Sequence, residues 1–332
     1  MTTEPHAYST GAALDFDCCV CGRSSYDTFL DDVPDRLGVI PGGSTYVRCQ
    51  SCGLIALHPR PSFEETASFY PKSFWRTESS PSEPPSVAKR FETWFRERLI
   101  ESEFAIIAEQ LHPGIRHLDV GCATGDFIAL CQARGTVSTG IELSESAVRH
   151  CREERGLDVI HGDLVDTDFG DRKFDLITYN GVLEHVPDPH AHVQKCATLL
   201  APGGRLVILG LPNIESAGFR VAGKRWIGLD APRHVHQFSA ESLRALLSHA
   251  GFELKSIDFR SPRFNPPSLV ASLIPPLHRH QFDAYEARTG KNPVLRKAAL
   301  LAALQVARPF DSALCRFGLS EHMSCVAELR PS

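Results

Sequence analysis

Apolar and polar positions alternate along this chain in two rhythms, and each change of rhythm marks an element. From Ile115 onward, short apolar runs at 115–120, 137–142, 158–161, 174–179 and 204–210 have the length of buried strands. Between them, 126–134, 145–155 and 189–200 place apolar residues at helical spacing. Ser239 to Ala250 reads as a further helix, with a serine N-cap and Gly251 just past its end. Phe252–Phe259 and Met323–Leu329 supply the last two strands. This alternation predicts an α/β fold on a seven-stranded, doubly wound, Rossmann-like sheet. Such a sheet binds ligands at the carboxyl ends of its strands.

The rhythm changes on either side of that core. Residues 1–15 show no periodicity and are expected to form a flexible N-terminus, followed by a small cysteine-bearing unit over 16–58. Within that unit Tyr26–Leu30 and Thr45–Arg48 can pair as a hairpin. Residues 59–111 read as linker and helices. Ser79–Ser86 is too rich in proline and serine for a regular element, whereas Val87–Leu111 carries Phe91, Phe95, Leu99, Ile106 and Ile107 at helical spacing. Residues 112–332 make up the α/β domain. Between its last two strands, 261–320 is an insertion that the sheet does not need. It is proline-broken at Pro266–Pro276, then helical over Asn292–Phe317, with a Leu/Ala/Val stripe among Arg296, Lys297, Arg308 and Arg316. A segment of this kind caps the cleft, makes a dimer contact, or lies peripherally against a membrane or a lipid-linked substrate.

Candidate chemistry concentrates at Leu118–Phe127, LDVGCATGDF. A strand ending near Asp119 runs into a glycine turn and then a helix start. Gly121 and Gly125 let the backbone approach a ligand that a side chain would push away, and the turn's amides face that ligand. Glu142 follows about 20 residues later at the end of the next apolar run, where an acid accepts ribose hydroxyls. The glycine spacing is G-x-x-x-G and not G-x-G-x-x-G, so a nicotinamide dinucleotide fits poorly.

This turn resembles motif I of the class I S-adenosylmethionine-dependent methyltransferases, and three further segments agree in order. They are His161–Leu164, the FDLITYNGVLEHVPDP stretch from Phe174 to Pro189, and LLAPGGRLVILGLPN from Leu199 to Asn213. The resemblance implies S-adenosylmethionine as cofactor and assigns its binding residues position by position. Asp119, Gly121, Cys122 and Gly125 surround the methionine part, with Phe127 behind. Glu142 takes the ribose and Leu143 packs on the adenine. Asp163 faces the adenine amino group, Leu164 flanks the ring, and Asn180 opens the loop over the methionyl group.

Methyl transfer to a carbon or hydroxyl also requires a proton to leave, which favours an imidazole tuned near neutral pH. His185, beside Glu184 in the loop after the fourth strand, is one candidate base. His234 and His236 in APRHVHQFS are the others. In the same return loop, Trp226 can stack on a sugar or aromatic ring and Arg233 can hold a phosphate, which makes them candidate substrate contacts.

Cysteine spacing adds a second chemistry. Cys18 with Cys21 and Cys49 with Cys52 form two Cys-x-x-Cys pairs, each followed by a glycine, Gly22 and Gly53. Four thiolates at such knuckles suit a closed, structural zinc site, with Cys19 as a spare. Downstream, GLIALHPRPSFEETASFYPKSFW resembles the zinc-ribbon extension of a methyltransferase group that acts on sugars and other cell-surface or natural-product intermediates. That resemblance implies a small-molecule or glycan acceptor, such as a sugar or sugar nucleotide. The LEHVPDP loop is shared with methyltransferases of small quinols or phenols, and a quinol, phenol or lipid-linked acceptor methylated on oxygen forms the second class. A non-catalytic, donor-binding scaffold is the third.

Composition narrows the field a little further. A net charge of -5 without a Lys/Arg block gives no electrostatic support to nucleic-acid binding. The first thirty residues lack an apolar leader core, and the 11 cysteines then suit a reducing cytoplasm, with thiols free or metal-bound.

Overall fold

The computed structural model describes residues 17–62, 65, 66, 69, 101, 104–277 and 294–331. The flexible N-terminus expected at 1–15, the Ser79–Ser86 linker, and Phe91, Phe95 and Leu99 of the expected helix lie outside the described residues.

Strands β1 (Tyr26–Pro34), β2 (Gly43–Cys49) and β3 (Ile55–His58) form an antiparallel meander. The hairpin read from the sequence is therefore present, in longer form. Its third strand pairs with β9 (His236–Gln237), a two-residue strand contributed by the return loop of the α/β domain. Tyr46 of β2 is fully buried, and its hydroxyl donates to the carbonyls of Leu229 and His234 in that same loop. The small sheet is thus joined to the larger domain by backbone and side chain alike.

The main sheet comprises β4 (Arg116–Val120), β5 (Val137–Glu142), β6 (Val159–His161), β7 (Phe174–Asn180), β8 (Leu200–Pro212), β10 (Phe252–Asp258) and β11 (His322–Leu329). Its order is β10-β11-β8-β7-β4-β5-β6, with β11 antiparallel to both neighbours and the other pairings parallel. The expected seven-stranded, doubly wound architecture is what the chain adopts. Strand order reverses between β4 and β7, so a crevice opens where their carboxyl ends diverge.

The helices are α1 (Phe104–Ile107), α2 (Asp126–Gln132), α3 (Glu145–Arg149), α4 (Pro189–Leu199), α5 (Ala217–Ala222), α6 (Ala240–His249), α7 (Asn265–Leu273) and α8 (Val294–Arg316). Local chemistry sets several ends. Asp188 caps α4 through the Ala191 N–H, and Ser239 and Ser242 cap α6 reciprocally. Two elements differ from the pattern reading. The helix expected over 145–155 leaves α geometry after Arg149 and closes as a π turn at His150–Glu154. Strand β8 begins at Leu200 rather than 204, because Leu200 pairs with Phe174 before an irregularity at Gly203 restores register at Arg205.

Both described parts of the insertion are helical. Asn265 ties α7 to the sheet, accepting from the His322 N–H and donating to the Phe259 carbonyl. Ser272 accepts from the Ile227 N–H. By contrast, α8 leaves Leu295, Leu301, Val306 and Phe310 exposed. Residues 295–316 of this helix are long and apolar enough to cross a membrane by length and composition.

Candidate active site

The crevice is built first by glycine. Gly121 follows β4 with φ +70, and Gly125 opens α2 with φ +76; both values are left-handed conformations that L side chains rarely adopt. A Cβ on Gly121 would lie 2.6 Å from a Val182 methyl, and one on Gly125 would lie 2.4 Å from Leu157. The loop after β7 therefore closes directly on the turn after β4.

Acids stand at the three neighbouring strand ends. Glu142, buried at the end of β5, accepts from the Ala123 N–H through Oε2 and from the Leu143 and Ser144 N–H groups through Oε1, each at 2.9 Å. These bonds use only part of the lone-pair capacity of a carboxylate, so acceptor sites remain for hydroxyl donors. Asp163, just beyond β6, holds the Val165 N–H at 2.8 Å and the His192 ring at 3.1 Å. Burial works against its charge, but the His192 partner together with the Val165 and Asp166 N–H groups outweighs burial and holds the acid below its ordinary range. Asp119 is buried in β4, and burial pushes it up to about 7.

A polar chain across the middle of the sheet positions Asp119. The Thr178 hydroxyl donates to Asp119 Oδ1 at 2.6 Å, His117 Nε2 meets Thr178 at 2.8 Å, and His117 Nδ1 meets Ser138 at 3.0 Å. Burial lowers His117 to about 3, so its ring is neutral and links its neighbours without charge. His117 belongs to no motif, and Thr178 sits within the Phe174–Pro189 segment without a role singled out there. Their signal in the sequence is only polar residues inside runs that otherwise read as buried strand.

Around the turn, Phe127 is buried and stacks on Phe104 at 5.1 Å, while Cys122 and Leu164 are also buried. Leu143 is exposed and free to lie against a ligand, and Asn180 ends β7 half-buried, before Gly181 at φ +65. The ten candidate donor-binding positions thus gather at the carboxyl ends of β4 to β7. They form an anion-accepting glycine turn with acids on the next two strands. That arrangement fits S-adenosylmethionine, whose aminocarboxylate, ribose and adenine need those groups in that order.

Beyond the turn, the residues expected to act on the acceptor divide into groups. Glu184, His185 and His234 converge, with ligand-type atoms all within 4.8 Å of one another. The two imidazoles meet edge to face at 4.6 Å between ring centres. His185 Nδ1 donates to the Arg233 carbonyl at 3.0 Å and His234 Nδ1 to the Gly228 carbonyl at 2.7 Å. Burial raises Glu184 to about 8 and lowers His185 to about 3, with His234 lowered as well. His185 keeps 27% of its side chain accessible, so the cluster opens to solvent. His236 does not join it. Buried in β9, it donates from Nδ1 to the Val186 carbonyl and faces Cys19 Sγ at 3.8 Å.

Trp226 and Arg233 are placed otherwise than expected. Trp226 is fully buried and its indole N–H donates to Glu321 Oε2 at 2.5 Å, leaving no face for stacking on a substrate. Arg233 is also buried, and its guanidinium is held by Asp35 and Asp230 at 2.8 Å each, which leaves no fork to receive a phosphate. Both anchor the return loop. Asp35, Asp230 and Glu321, their partners, carry no motif that would have singled them out.

The four knuckle cysteines do meet. Cys18 and Cys52 sulfurs lie 3.6 Å apart, as do those of Cys21 and Cys49, and all four fall within 4.8 Å of one another. Gly22 and Gly53 turn the two knuckles at φ +67 and +74, each donating to the carbonyl of the first cysteine of one pair. Thiolates bound at ~2.3 Å in a tetrahedron sit roughly 3.8 Å apart, so this donor set fits zinc.

Comparison with known proteins agrees with this geometry. Residues 91–257 match a family described as methyltransferase domain. The ubiquinone biosynthesis O-methyltransferase of Maricaulis maris is 30% identical over 176 residues, covering 49% of this chain and 68% of that protein. Its namesake from Xanthomonas axonopodis is 33% identical over 165 residues, 46% and 68% of the two chains. That from Aromatoleum aromaticum is 32% identical over 171 residues, 48% and 72%. Among solved structures, a methyltransferase dependent on S-adenosylmethionine from Archaeoglobus fulgidus aligns with a TM-score of 0.47 at 18% identity, over 74% of this chain and 100% of that one. Matched over half its length to that family, and spanning more than two thirds of these curated relatives, the chain belongs to the class I S-adenosylmethionine-dependent methyltransferases.

Proposed function

We propose that this enzyme methylates a hydroxyl of a small quinol- or phenol-type acceptor. The observation that carries the reading is the convergence of Glu184, His185 and His234 at the mouth of the crevice, two residues beyond the Val182 contact with Gly121. A hydroxyl at that point meets imidazole nitrogens and a carboxyl group that can hold it by hydrogen bonds, and a phenolic hydroxyl needs the least help to ionise. The printed names of the curated relatives, ubiquinone biosynthesis O-methyltransferases, support an acceptor of this class. S-adenosylmethionine supplies an activated methyl group when bound.

The chain's own residues bind and orient. In this reading Asp119, Gly121, Cys122 and Gly125 hold the methionyl part with Phe127 behind them, and Asn180 opens the loop above it. Glu142 takes the ribose, Asp163 the adenine amino group, and Leu143 and Leu164 flank the ring. Cys18, Cys21, Cys49 and Cys52 hold a structural zinc ion that fixes the small sheet, and through β9 the return loop. The exposed apolar face of α8 suits an acceptor delivered from a lipid surface.

The zinc-ribbon extension favours a second acceptor class, a sugar or sugar nucleotide. A direct competition separates the two. Purified enzyme with labelled-methyl donor is offered an alkyl catechol and a panel of nucleotide sugars together. Label on the catechol oxygen supports the proposal, and label on the sugar alone refutes its acceptor assignment.

A further inference from the structure

The glycine turn after β4 is gripped by a segment that the donor-binding positions do not include. Gly121, Ala123 and Gly125 take left-handed conformations, with φ of +70, +48 and +76. A turn of this kind gathers N–H groups on one side, where an anion can be held, and sends carbonyls to the other. Ala123 carries a Cβ, so its conformation is unfavourable alone and has to be imposed by neighbours. Glu142 takes the Ala123 N–H at 2.9 Å. The carbonyls are held separately. Cys151 Sγ donates to the Ala123 carbonyl at 3.3 Å, and Arg155 Nη1 donates to the Thr124 carbonyl and, at 2.7 Å, to Asp126 Oδ1. The packing is close: a Cβ on Gly125 would lie 3.1 Å from Cys151 Sγ and 3.8 Å from Arg155 Nη1. Cys151 lies in the π turn at His150–Glu154 and Arg155 ends it, and π turns are frequent at functional sites. Arg152 of the same turn serves another part of the fold, donating from Nε to the Val159 carbonyl of β6 at 2.7 Å.

We infer that Arg155, assisted by Cys151, is a positioning residue for the aminocarboxylate of S-adenosylmethionine. Each carbonyl shares a planar trans peptide with the next N–H, which points the opposite way. Cys151, by holding the Ala123 carbonyl, therefore aims the Thr124 N–H. Arg155 clamps the following peptide, whose Gly125 N–H closes the turn on the Cys122 carbonyl at 2.9 Å. Its ion pair with Asp126 ties the same guanidinium to the first turn of α2. The two side chains are 26% and 25% exposed, and a pair this open to water adds little to global stability, so its consequence falls on the turn. The inference rests on the reading that seats the methionyl part at this turn, and it adds what keeps the turn in shape. Glu142 retains its bonds to the Leu143 and Ser144 N–H groups, so the ribose contact does not depend on Arg155.

The test divides the donor into its two halves and needs no acceptor. Full-length wild type, Arg155→Met, Arg155→Lys and Arg152→Met are titrated by calorimetry with two ligands. One is S-adenosylhomocysteine; the other is methylthioadenosine, which keeps the adenosine and thioether but lacks the aminocarboxylate. Arg155→Met should weaken S-adenosylhomocysteine by about tenfold and leave methylthioadenosine unchanged, and Arg155→Lys should recover part of the loss. Arg152→Met removes an arginine from the same turn and should change neither affinity. Circular dichroism shows which variants fold, and should Arg155→Met fail to, Cys151→Ala is read by the same ratio of affinities. An equal loss for both ligands, unchanged binding of S-adenosylhomocysteine, or the same selective loss in Arg152→Met overturns the assignment. A wild type that binds the two ligands equally refutes instead the seating of the methionyl part at the turn, so the two readings fail separately.

Discussion

Replacing Arg233 by glutamine distinguishes a structural arginine from a substrate-binding one. The guanidinium donates from Nη2 to Asp35 and to Asp230 at 2.8 Å, from Nε to Asp230 at 3.0 Å, and from Nη1 to the Phe69 carbonyl at 3.3 Å. The Arg233 and Asp35 side chains are 0% and 2% exposed, so water screens that pair very little. Removing one partner of such a pair strands the other charges and costs about 3–5 kcal/mol. Asp35 retains N–H donors from Leu37, Val39 and Ile40, which places the expected loss nearer the lower figure, about 3 kcal/mol. The pH dependence follows from Asp230. Burial alone would raise this acid, but its bonds to Arg233 hold it down at about 2. A depressed carboxyl contributes stability that is present above its unfolded value, near 3.8, and is lost as pH falls through the folded value. The gap between wild type and Arg233→Gln should therefore be full at neutral pH and shrink between pH 4 and pH 2. Urea denaturation at several pH values reads both quantities. A gap below about 1 kcal/mol at neutral pH, with a raised KM for the acceptor, would return Arg233 to the substrate and refute the buried-pair argument.

Three further outcomes follow from other parts of the fold. Gly121→Ala forces a left-handed alanine, worth ~1–2 kcal/mol of strain, and a Cβ against Val182; donor affinity by calorimetry should fall by about tenfold or more, and Val182→Ala in the same chain should restore only part of it. Glu321 lies 1% exposed under the Trp226 indole, and burial raises it to about 7 from an ordinary 4.5. Its contribution is therefore complete below pH 4.5 and lost as pH rises through 7, a difference of roughly 3 kcal/mol at most that Glu321→Gln should remove from the stability profile. Cys49→Ser should release the knuckle metal and destabilise the small sheet while donor affinity persists; loss of donor binding in a still-folded α/β domain would mean that the two parts are not separable.

The donor crevice is legible in the sequence because its demands fall on residue types. Glycine is strongly favoured at the left-handed conformations of 121 and 125, and an acid at the end of β5 stands at a predictable distance from them. The cysteine knuckles are legible for the same reason. What sequence pattern does not carry is burial and long-range pairing. Thr178 reaches Asp119 across 59 residues, and Glu321 reaches Trp226 across 95. Trp226 and Arg233 look like surface recognition residues by type, yet they are the largest fully buried side chains among the described residues, held by acids far away in the chain. Strand β9 is two residues long, too short for any period, and it is this strand that draws His236 toward Cys19 and away from the Glu184 cluster.

The central claim is methyl transfer from S-adenosylmethionine to a phenolic hydroxyl at the mouth of the β4–β7 crevice. The most direct measurement is label trapping: purified enzyme, deuterated-methyl donor and an extract of quinone-producing cells, split into lipid and water-soluble fractions and read by mass spectrometry. The account predicts a deuterated methoxy group on an aromatic compound in the lipid fraction. Label only in soluble sugars, or no label while the donor remains bound, would contradict it.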